Sequence, residues 1–125
     1  MPASRLLITP RCPVRTALEL LSGKWRLLLL QQVATGAARY GELRQSLPDI
    51  SEKVLAHELK FLVDAGLLTR QDAPEGLVRS LYALTALGEQ TQPVTQALAR
   101  FGLAYNAEVA LEPSRERAAD ANARP

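Results

Sequence analysis

The chain has 125 residues, 47% of them hydrophobic and 22% charged, which is the length and composition of one compact globular domain. No apolar run approaches the roughly 20 residues that a membrane-spanning helix needs, and one His with one Cys offers neither a zinc ligand set nor a nucleophile and base pair. A membrane protein, a metal or cofactor site and an enzyme are therefore not expected, whereas the net charge of +2 permits nucleic-acid binding without requiring it.

Residues 1–11 are expected to form a short leader, because their apolar stretch is too short for a signal peptide. The single cysteine, Cys12, cannot form a disulfide within the chain. Both features favour a cytoplasmic protein.

Three helices are predicted in the first half of the domain. Pro13 stands at the first position of one, with Cys12 as its cap and Gly23 at its end. The second helix, residues 24–35, is apolar on nearly every side, which is typical of a helix buried at the centre of a domain. A third, short helix begins at about Tyr40 and cannot continue past Pro48.

The fourth helix has the best-marked start in the chain. Ser51 is suited to cap it, and Ile50 is placed to pack on Leu55 as a hydrophobic staple. Its inward stripe is Leu55, Leu59 and Leu62. Gly66 is placed to end it in the left-handed conformation.

A β-hairpin and a long helix complete the predicted domain, residues 12–111. The hairpin strands are residues 67–71 and 78–84, joined by a loop rich in turn residues. Thr85 is expected to cap the last helix, whose apolar stripe exceeds what a small domain needs and consists of Val94, Leu98, Phe101 and Tyr105. Residues 112–125 have no large apolar residue and are expected to be a disordered tail.

Helix, tight turn, capped helix and hairpin is the order of a winged helix-turn-helix, a mainly α fold with a small β-hairpin wing (α+β). From Cys12 to about Gly102 the sequence resembles the HxlR-type regulators, which are related to the MarR repressors. The residues that carry the resemblance are Cys12-Pro13-Val14, Gly23-Lys24-Trp25, Arg39 to Arg44, Leu47 to Ser51, Leu55, Leu59, Leu62, Ala65-Gly66-Leu67, Arg79, Tyr82, Leu84-Thr85 and Gly88. The resemblance implies a homodimer formed through the first and last helices, with Val14, Leu18, Val94, Leu98, Phe101 and Tyr105 at the interface.

The face of the fourth helix opposite its apolar stripe is the predicted DNA-reading surface. Lys53 and His57 are suited to donate to guanine, and Ala56 to touch a thymine methyl group. Phosphate contacts are assigned to Ser51, Lys60, Arg39 and Lys24, and backbone or minor-groove contact to Arg79. The alternative is an ordinary solvated face, which Glu52 and Glu58 favour because they would repel phosphate.

Cys12 is the one residue with reactive chemistry to consider. A thiolate at a helix N-terminus is stabilised by the helix dipole, and Arg11 and Arg15 are close in sequence. The resembled family includes sensors of oxidants and electrophiles that use a cysteine at this Cys-Pro position. The alternative is a small buried capping residue at a dimer interface.

The favoured function is a homodimeric repressor or activator that binds a pseudo-palindromic operator in double-stranded DNA. Its two reading helices would enter successive major grooves roughly 34 Å apart. The alternative is a winged-helix module for protein interaction or small-molecule response without specific DNA binding. Between residues 24 and 84, eight basic residues stand against seven acidic ones, which supports this alternative.

Overall fold

A computed structural model of the chain describes residues 12–73 and 76–111. The predicted leader and tail, and the middle of the predicted hairpin loop, lie outside these residues. The described chain divides into two compact units, the first extending to Gln92 and the second beginning at Pro93. The elements are α1 (Pro13–Leu21), α2 (Arg26–Ala34), β1 (Ala38–Arg39), α3 (Tyr40–Ser46), α4 (Glu52–Asp64), β2 (Leu68–Ala73), β3 (Gly76–Leu84), α5 (Ala86–Glu89) and α6 (Thr91–Leu111).

The second helix, α2, crosses the core of the first unit but is not buried on every side. Leu29, Leu30 and Val33 are buried, whereas Leu28 is 42% exposed. The expectation of burial on nearly every side is therefore wrong at Leu28. Each residue turns about 100° around a helix, and the core lies against the Leu29 side of α2 only, so its neighbour Leu28 points outward.

The helix-turn-helix pair is α3 and α4, and its predicted features are confirmed. The Ser51 hydroxyl accepts a hydrogen bond from the Val54 amide at 3.1 Å, which is the N-cap bond. Ile50, just before the cap, is buried in the same core cluster as the α4 stripe, Leu55, Leu59 and Leu62. Gly66 follows α4 with a φ of +84°, a conformation that a residue with a Cβ rarely adopts.

The wing is part of a three-stranded antiparallel sheet in the order β1-β3-β2. The predicted hairpin, β2 and β3, is confirmed, and its strands extend further toward the turn than expected. Tyr82 lies at the centre of the sheet, opposite Arg70 on one side and Ala38 on the other, and is buried. The sequence does not predict β1, because its two residues become a strand only by pairing with β3.

The expectation that Thr85 caps the last long helix is wrong. Thr85 caps the four-residue helix α5, where its hydroxyl accepts from the Gly88 amide at 2.9 Å. The long helix α6 begins separately at Thr91. Pro93 explains the break, since a proline inside a continuous helix would lose a hydrogen bond and clash with the preceding turn, whereas the first turn of a helix tolerates it.

In the second unit, the predicted apolar stripe of α6 is exposed, with Phe101 at 69% and the other members being Val94, Leu98 and Tyr105. Leu103, which the stripe does not include, is 71% exposed. Within the described residues, no helix is long and apolar enough to cross a membrane.

Candidate nucleic-acid interface

The outer face of α4 presents the side chains predicted to read DNA. Ser51, Lys53, His57 and Lys60 are exposed, and Ala56 is half-buried. These residues share one surface because the opposite side of the helix is held in the core by its leucine stripe. The structure thus brings five of the eight predicted contact residues together on one capped helix.

The N-terminus of α4 and the turn before it are held by two side chains of α3. The Tyr40 hydroxyl donates to the Glu52 main-chain carbonyl at 3.3 Å, and Arg44 Nη1 donates to the Ile50 carbonyl at 3.2 Å. Burial raises the pKa of Tyr40, as does the Glu52 charge, while the Arg44 charge lowers it. Tyr40 is therefore a neutral donor at physiological pH. Tyr40 and Arg44 belong to the motif that carries the family resemblance, but the sequence does not predict that they hold the start of α4.

Ser51 has two functions available at this position. Its oxygen is already the cap acceptor for Val54, and its O–H remains able to donate. A hydroxyl can accept and donate at the same time, so capping the helix does not prevent contact with a phosphate.

Lys60, predicted to reach phosphate, is paired within the chain. Its Nζ lies 2.9 Å from Asp64 Oδ2, one turn along the same helix, and both side chains are exposed. Exposed pairs of this spacing contribute only about 0.3–0.5 kcal/mol. Lys60 can therefore exchange Asp64 for a phosphate at small cost.

The two acids of α4 differ in position. Glu58 points away from the outer face, because its carboxylate lies 2.6 Å from Arg26 Nε of α2 and is only 17% exposed. The expectation that Glu58 repels phosphate is therefore wrong, since its charge is compensated inside the fold. Glu52 is exposed, and its nearest basic partner is Arg44 at 3.9 Å.

Arg39 and Arg79 come together at the edge of the sheet formed by β1. Arg39 Nη1 donates to the Arg79 main-chain carbonyl at 2.7 Å, and both residues are exposed. The Arg39 amide is in turn held by the Glu42 carboxylate at 2.8 Å. Two predicted phosphate or groove contacts thus lie at one place beside the wing.

A polar network that the sequence does not predict stiffens the wing. The fully buried Ser80 hydroxyl donates to Asp72 Oδ1 at 3.1 Å, and Arg70 Nε lies 3.3 Å from the same hydroxyl. Arg70 also pairs with Asp72. The basic side chain of Arg70 is thus engaged within the wing.

Lys24, the remaining predicted phosphate contact, lies in the turn between α1 and α2. Its Nζ is 5.0 Å from the centre of the Trp25 ring, a cation–π contact with its own neighbour. Lys24 is exposed, and Trp25 packs against the core. Among the described side chains, no contact connects Lys24 with Arg39 or Arg79.

Cys12 occupies the N-cap position of α1 and is exposed. Its carbonyl accepts the first helical bonds, from the Arg15 and Thr16 amides at 3.0 and 3.2 Å, while its sulfur makes no capping bond. The thiol is therefore free for chemistry in the single chain. Arg11, the other predicted charge near it, lies outside the described residues.

The N-terminal part of the predicted dimer interface is also exposed. Val14 and Leu18 project from α1, a helix that has no buried residue.

An open hollow of about 290 Å³ lies between the end of α2 and α3. Across the described chain, no cluster of His, Cys, Asp or Glu could hold a metal ion.

The family model described as HxlR-like helix-turn-helix matches residues 20–110. The chain belongs to this family. An HTH-type transcriptional regulator of Synechocystis sp., sll1512, is 37% identical over 91 residues, which cover 73% of this chain and 67% of that protein. The winged-helix fold and the resemblance predicted from the sequence are therefore confirmed, and this HxlR-like chain is a transcriptional regulator of helix-turn-helix type.

Solved structures of other transcriptional regulators are similar to this chain. A MarR-family regulator from Porphyromonas gingivalis W83 is 43% identical with a TM-score of 0.70, over 76% of this chain and 93% of its own. Reduced YodB from B. subtilis is 33% identical with a TM-score of 0.64, over 82% of this chain and 97% of its own. YodB structures with bound quinone and after diamide treatment are also similar.

Proposed function

We propose that this HxlR-like regulator binds double-stranded DNA as a homodimer and that α4 is its recognition helix. The observation that carries the proposal is the outer face of α4. Lys53, His57 and Lys60 are exposed there, on a helix whose inner face is fixed in the core and whose N-terminus is capped. A helix of this kind can enter a major groove without rearrangement.

The proposed contacts divide into base reading and positioning. Lys53 and His57 donate to guanine N7 or O6, and the Ala56 methyl group contacts thymine. Phosphates are bound by Ser51 and Lys60 of the recognition helix, by Lys24 of the turn between α1 and α2, and by Arg39 and Arg79 beside the wing.

The proposed homodimer rests on two exposed apolar faces. One belongs to α1, with Val14 and Leu18, and the other to α6, with Val94, Leu98, Phe101 and Tyr105. Burying such faces against a second copy removes apolar surface from water. A two-fold dimer would present two recognition helices about 34 Å apart and therefore select a pseudo-palindromic operator.

Selection of bound duplexes from a random-sequence library tests the proposal. The expected result is an enriched inverted repeat, bound by two chains, whose affinity falls steeply with salt and exceeds that of a shuffled duplex. Sedimentation of the free protein should show a dimer. Enrichment of no sequence would contradict specific DNA binding, and a monomer that binds a single half-site would contradict the dimer.

We further propose that Cys12 is a sensor of oxidants or electrophiles. Two facts support this proposal, the exposed free thiol and the similarity to YodB, which has been solved with quinone and after diamide treatment. Because Cys12 is the only cysteine of the chain, oxidation would join two subunits or one subunit and a small thiol. The two thiols lose two protons and two electrons to the oxidant as the S–S bond forms.

The sensor proposal is tested by operator affinity before and after diamide or quinone treatment, in the wild type and in Cys12→Ser. A change in the wild type alone is expected, together with a mass shift at Cys12. An equal response of both proteins would show that Cys12 is not the sensor.

A second candidate function is a protein-interaction or small-molecule-responsive module without specific DNA binding. Internal pairing favours it, since Arg26, Lys60 and Arg70 are each engaged with a carboxylate of the same chain. The library selection separates the two candidates, because this module would show equal, weak affinity for all duplexes.

A further inference from the structure

One arginine of α2 contacts two other helices of the first unit, α4 and α1. Arg26 Nε lies 2.6 Å from Glu58 Oε1 of the recognition helix, and its guanidinium carbon lies 3.6 Å from the centre of the Phe61 ring, one turn further along. Both members of the ion pair are only 17% exposed. A planar guanidinium can pair at its edge and stack on its face at the same time.

The other edge of the same guanidinium faces α1. Arg26 Nη1 lies 3.3 Å from the Glu19 carbonyl and 3.4 Å from the Leu20 carbonyl. These carbonyls belong to the last turn of α1, where helical acceptors have no donor within the helix and a positive charge is favoured. Arg26 therefore joins the C-terminal end of α1 to the middle of the recognition helix.

The ion pair fixes geometry more than it adds stability. A partly buried pair loses hydration on forming, so replacing both partners by apolar residues of similar size often leaves stability unchanged. The hydrogen bond to Glu58 and the stack on Phe61 together nevertheless favour one rotational setting of α4 about its axis. Glu58 directly follows His57 on that helix, so a change in rotation would displace the proposed base-reading side chains.

We propose that Arg26 is a positioning residue that sets the rotation of the recognition helix and couples it to α1. This proposal rests on the proposed function, because the residues being positioned are the base readers. Through Arg26, α1 is also physically connected to the helix that carries the DNA-reading surface. A displacement at the exposed face of α1 reaches α4 through one side chain.

The decisive variant is Arg26→Met combined with Glu58→Met. It leaves net charge unchanged and keeps a flexible apolar side chain against Phe61. We expect an unchanged salt dependence and a thermal midpoint close to that of the wild type. The affinity ratio between selected and shuffled duplexes should fall about tenfold, as expected when roughly one base contact is lost.

Hydrogen exchange provides a readout that does not depend on DNA. Amides in the last turn of α1 and in α4 should exchange faster in the double variant. Arg70→Met combined with Asp72→Met, which removes an ion pair within the wing, should leave these amides as in the wild type. Arg26→Lys keeps the charge but not the fork, so it should fold normally and show an intermediate affinity ratio.

If the double variant folds and keeps the wild-type affinity ratio between selected and shuffled duplexes, the proposal is wrong. If the double variant does not fold, Arg26→Lys decides, and a wild-type ratio in Arg26→Lys would contradict the proposal. If the wild-type protein selects no duplex, the proposed function fails. The exchange measurement then decides on the coupling alone, and unchanged exchange in α1 and α4 would refute it.

Discussion

The Arg39 guanidinium donates to the main-chain carbonyl of Arg79 at 2.7 Å, although the residues are 40 positions apart. This bond ties the start of α3 to the central strand of the wing. It also brings the exposed Arg39 side chain to the main chain of Arg79, which is exposed as well, so the two residues lie together beside the wing.

Removing the two arginine side chains should have unequal effects. Arg79→Ala keeps the hydrogen bond, because Arg39 binds the Arg79 main chain, so it should only weaken binding evenly and reduce the salt slope by about one unit. Arg39→Ala should lower the slope by a similar amount and also speed hydrogen exchange in the wing strands. Titrations at several salt concentrations measure the slopes, and equal exchange in both variants would contradict the anchoring role of Arg39.

Replacing a lysine of the recognition helix should affect DNA binding differently from replacing a lysine outside it. Lys53→Ala should relax base preference, reducing discrimination against the wrong base by about tenfold or more, because a good base contact contributes about 1–3 kcal/mol. Lys24→Ala should weaken selected and shuffled duplexes equally and lower the salt slope by about one unit. Competition titrations with single-base operator variants distinguish the two patterns. An equal loss of affinity for all duplexes in Lys53→Ala would show that Lys53 does not read a base.

Ser51 allows helix capping and DNA contact to be separated. Ser51→Ala should lower the free energy of unfolding by about 1 kcal/mol, because the Val54 amide loses its acceptor. Ser51→Asp keeps the cap and should be at least as stable as the wild type, yet its negative charge should weaken DNA binding. Urea unfolding and gel shifts measure the two properties. Undiminished binding by Ser51→Asp would place this end of α4 away from phosphate.

Gly88 is required by a close approach of α5 to the main chain of Leu67, the residue just before β2. A Cβ at this position would lie 2.1 Å from the Leu67 main-chain carbonyl oxygen, so the backbone would have to move. Gly88→Ala should therefore lower the free energy of unfolding by about 1–3 kcal/mol, the usual cost of overpacking. Gly41→Ala is the matched control, since no atom lies within 4 Å of its Cβ in α3 and it should not destabilise the protein. Urea unfolding that shows equal stability for both variants would disprove the steric argument.

Alkaline pH should destabilise the fold through its buried tyrosine. Burial raises the pKa of Tyr82 above its ordinary value of 10.0, with Asp72 and Tyr40 adding to the effect and Arg70 opposing it. Above pH 10.0 the unfolded chain loses this proton before the folded chain does, so stability falls as pH rises toward the folded pKa. Urea unfolding across this range should show a smaller decline in Tyr82→Phe. An identical decline in both proteins would assign the effect to other groups.

Local signals in the sequence determined most of the helix-turn-helix. The cap at Ser51, the stripe of Leu55, Leu59 and Leu62 and the left-handed Gly66 were all predicted, because each depends on residues within one or two turns. The break before α6 was not predicted, although Pro93 is a local signal against one continuous helix from Thr85. The sequence likewise identified the outer face of α4, because a helix with one buried stripe must expose the other side.

Tertiary structure alone decided which charges remain available on that face. Glu58 lies beside the apolar stripe, where helical spacing permits either solvent or a partner, and its partner Arg26 is 32 positions away. The strand β1 and the Arg39–Arg79 bond likewise depend on contacts with β3 about 40 positions along the chain. Periodicity and capping are properties of neighbouring residues and can be predicted from sequence. Pairing between distant residues is fixed only when the core brings their elements together.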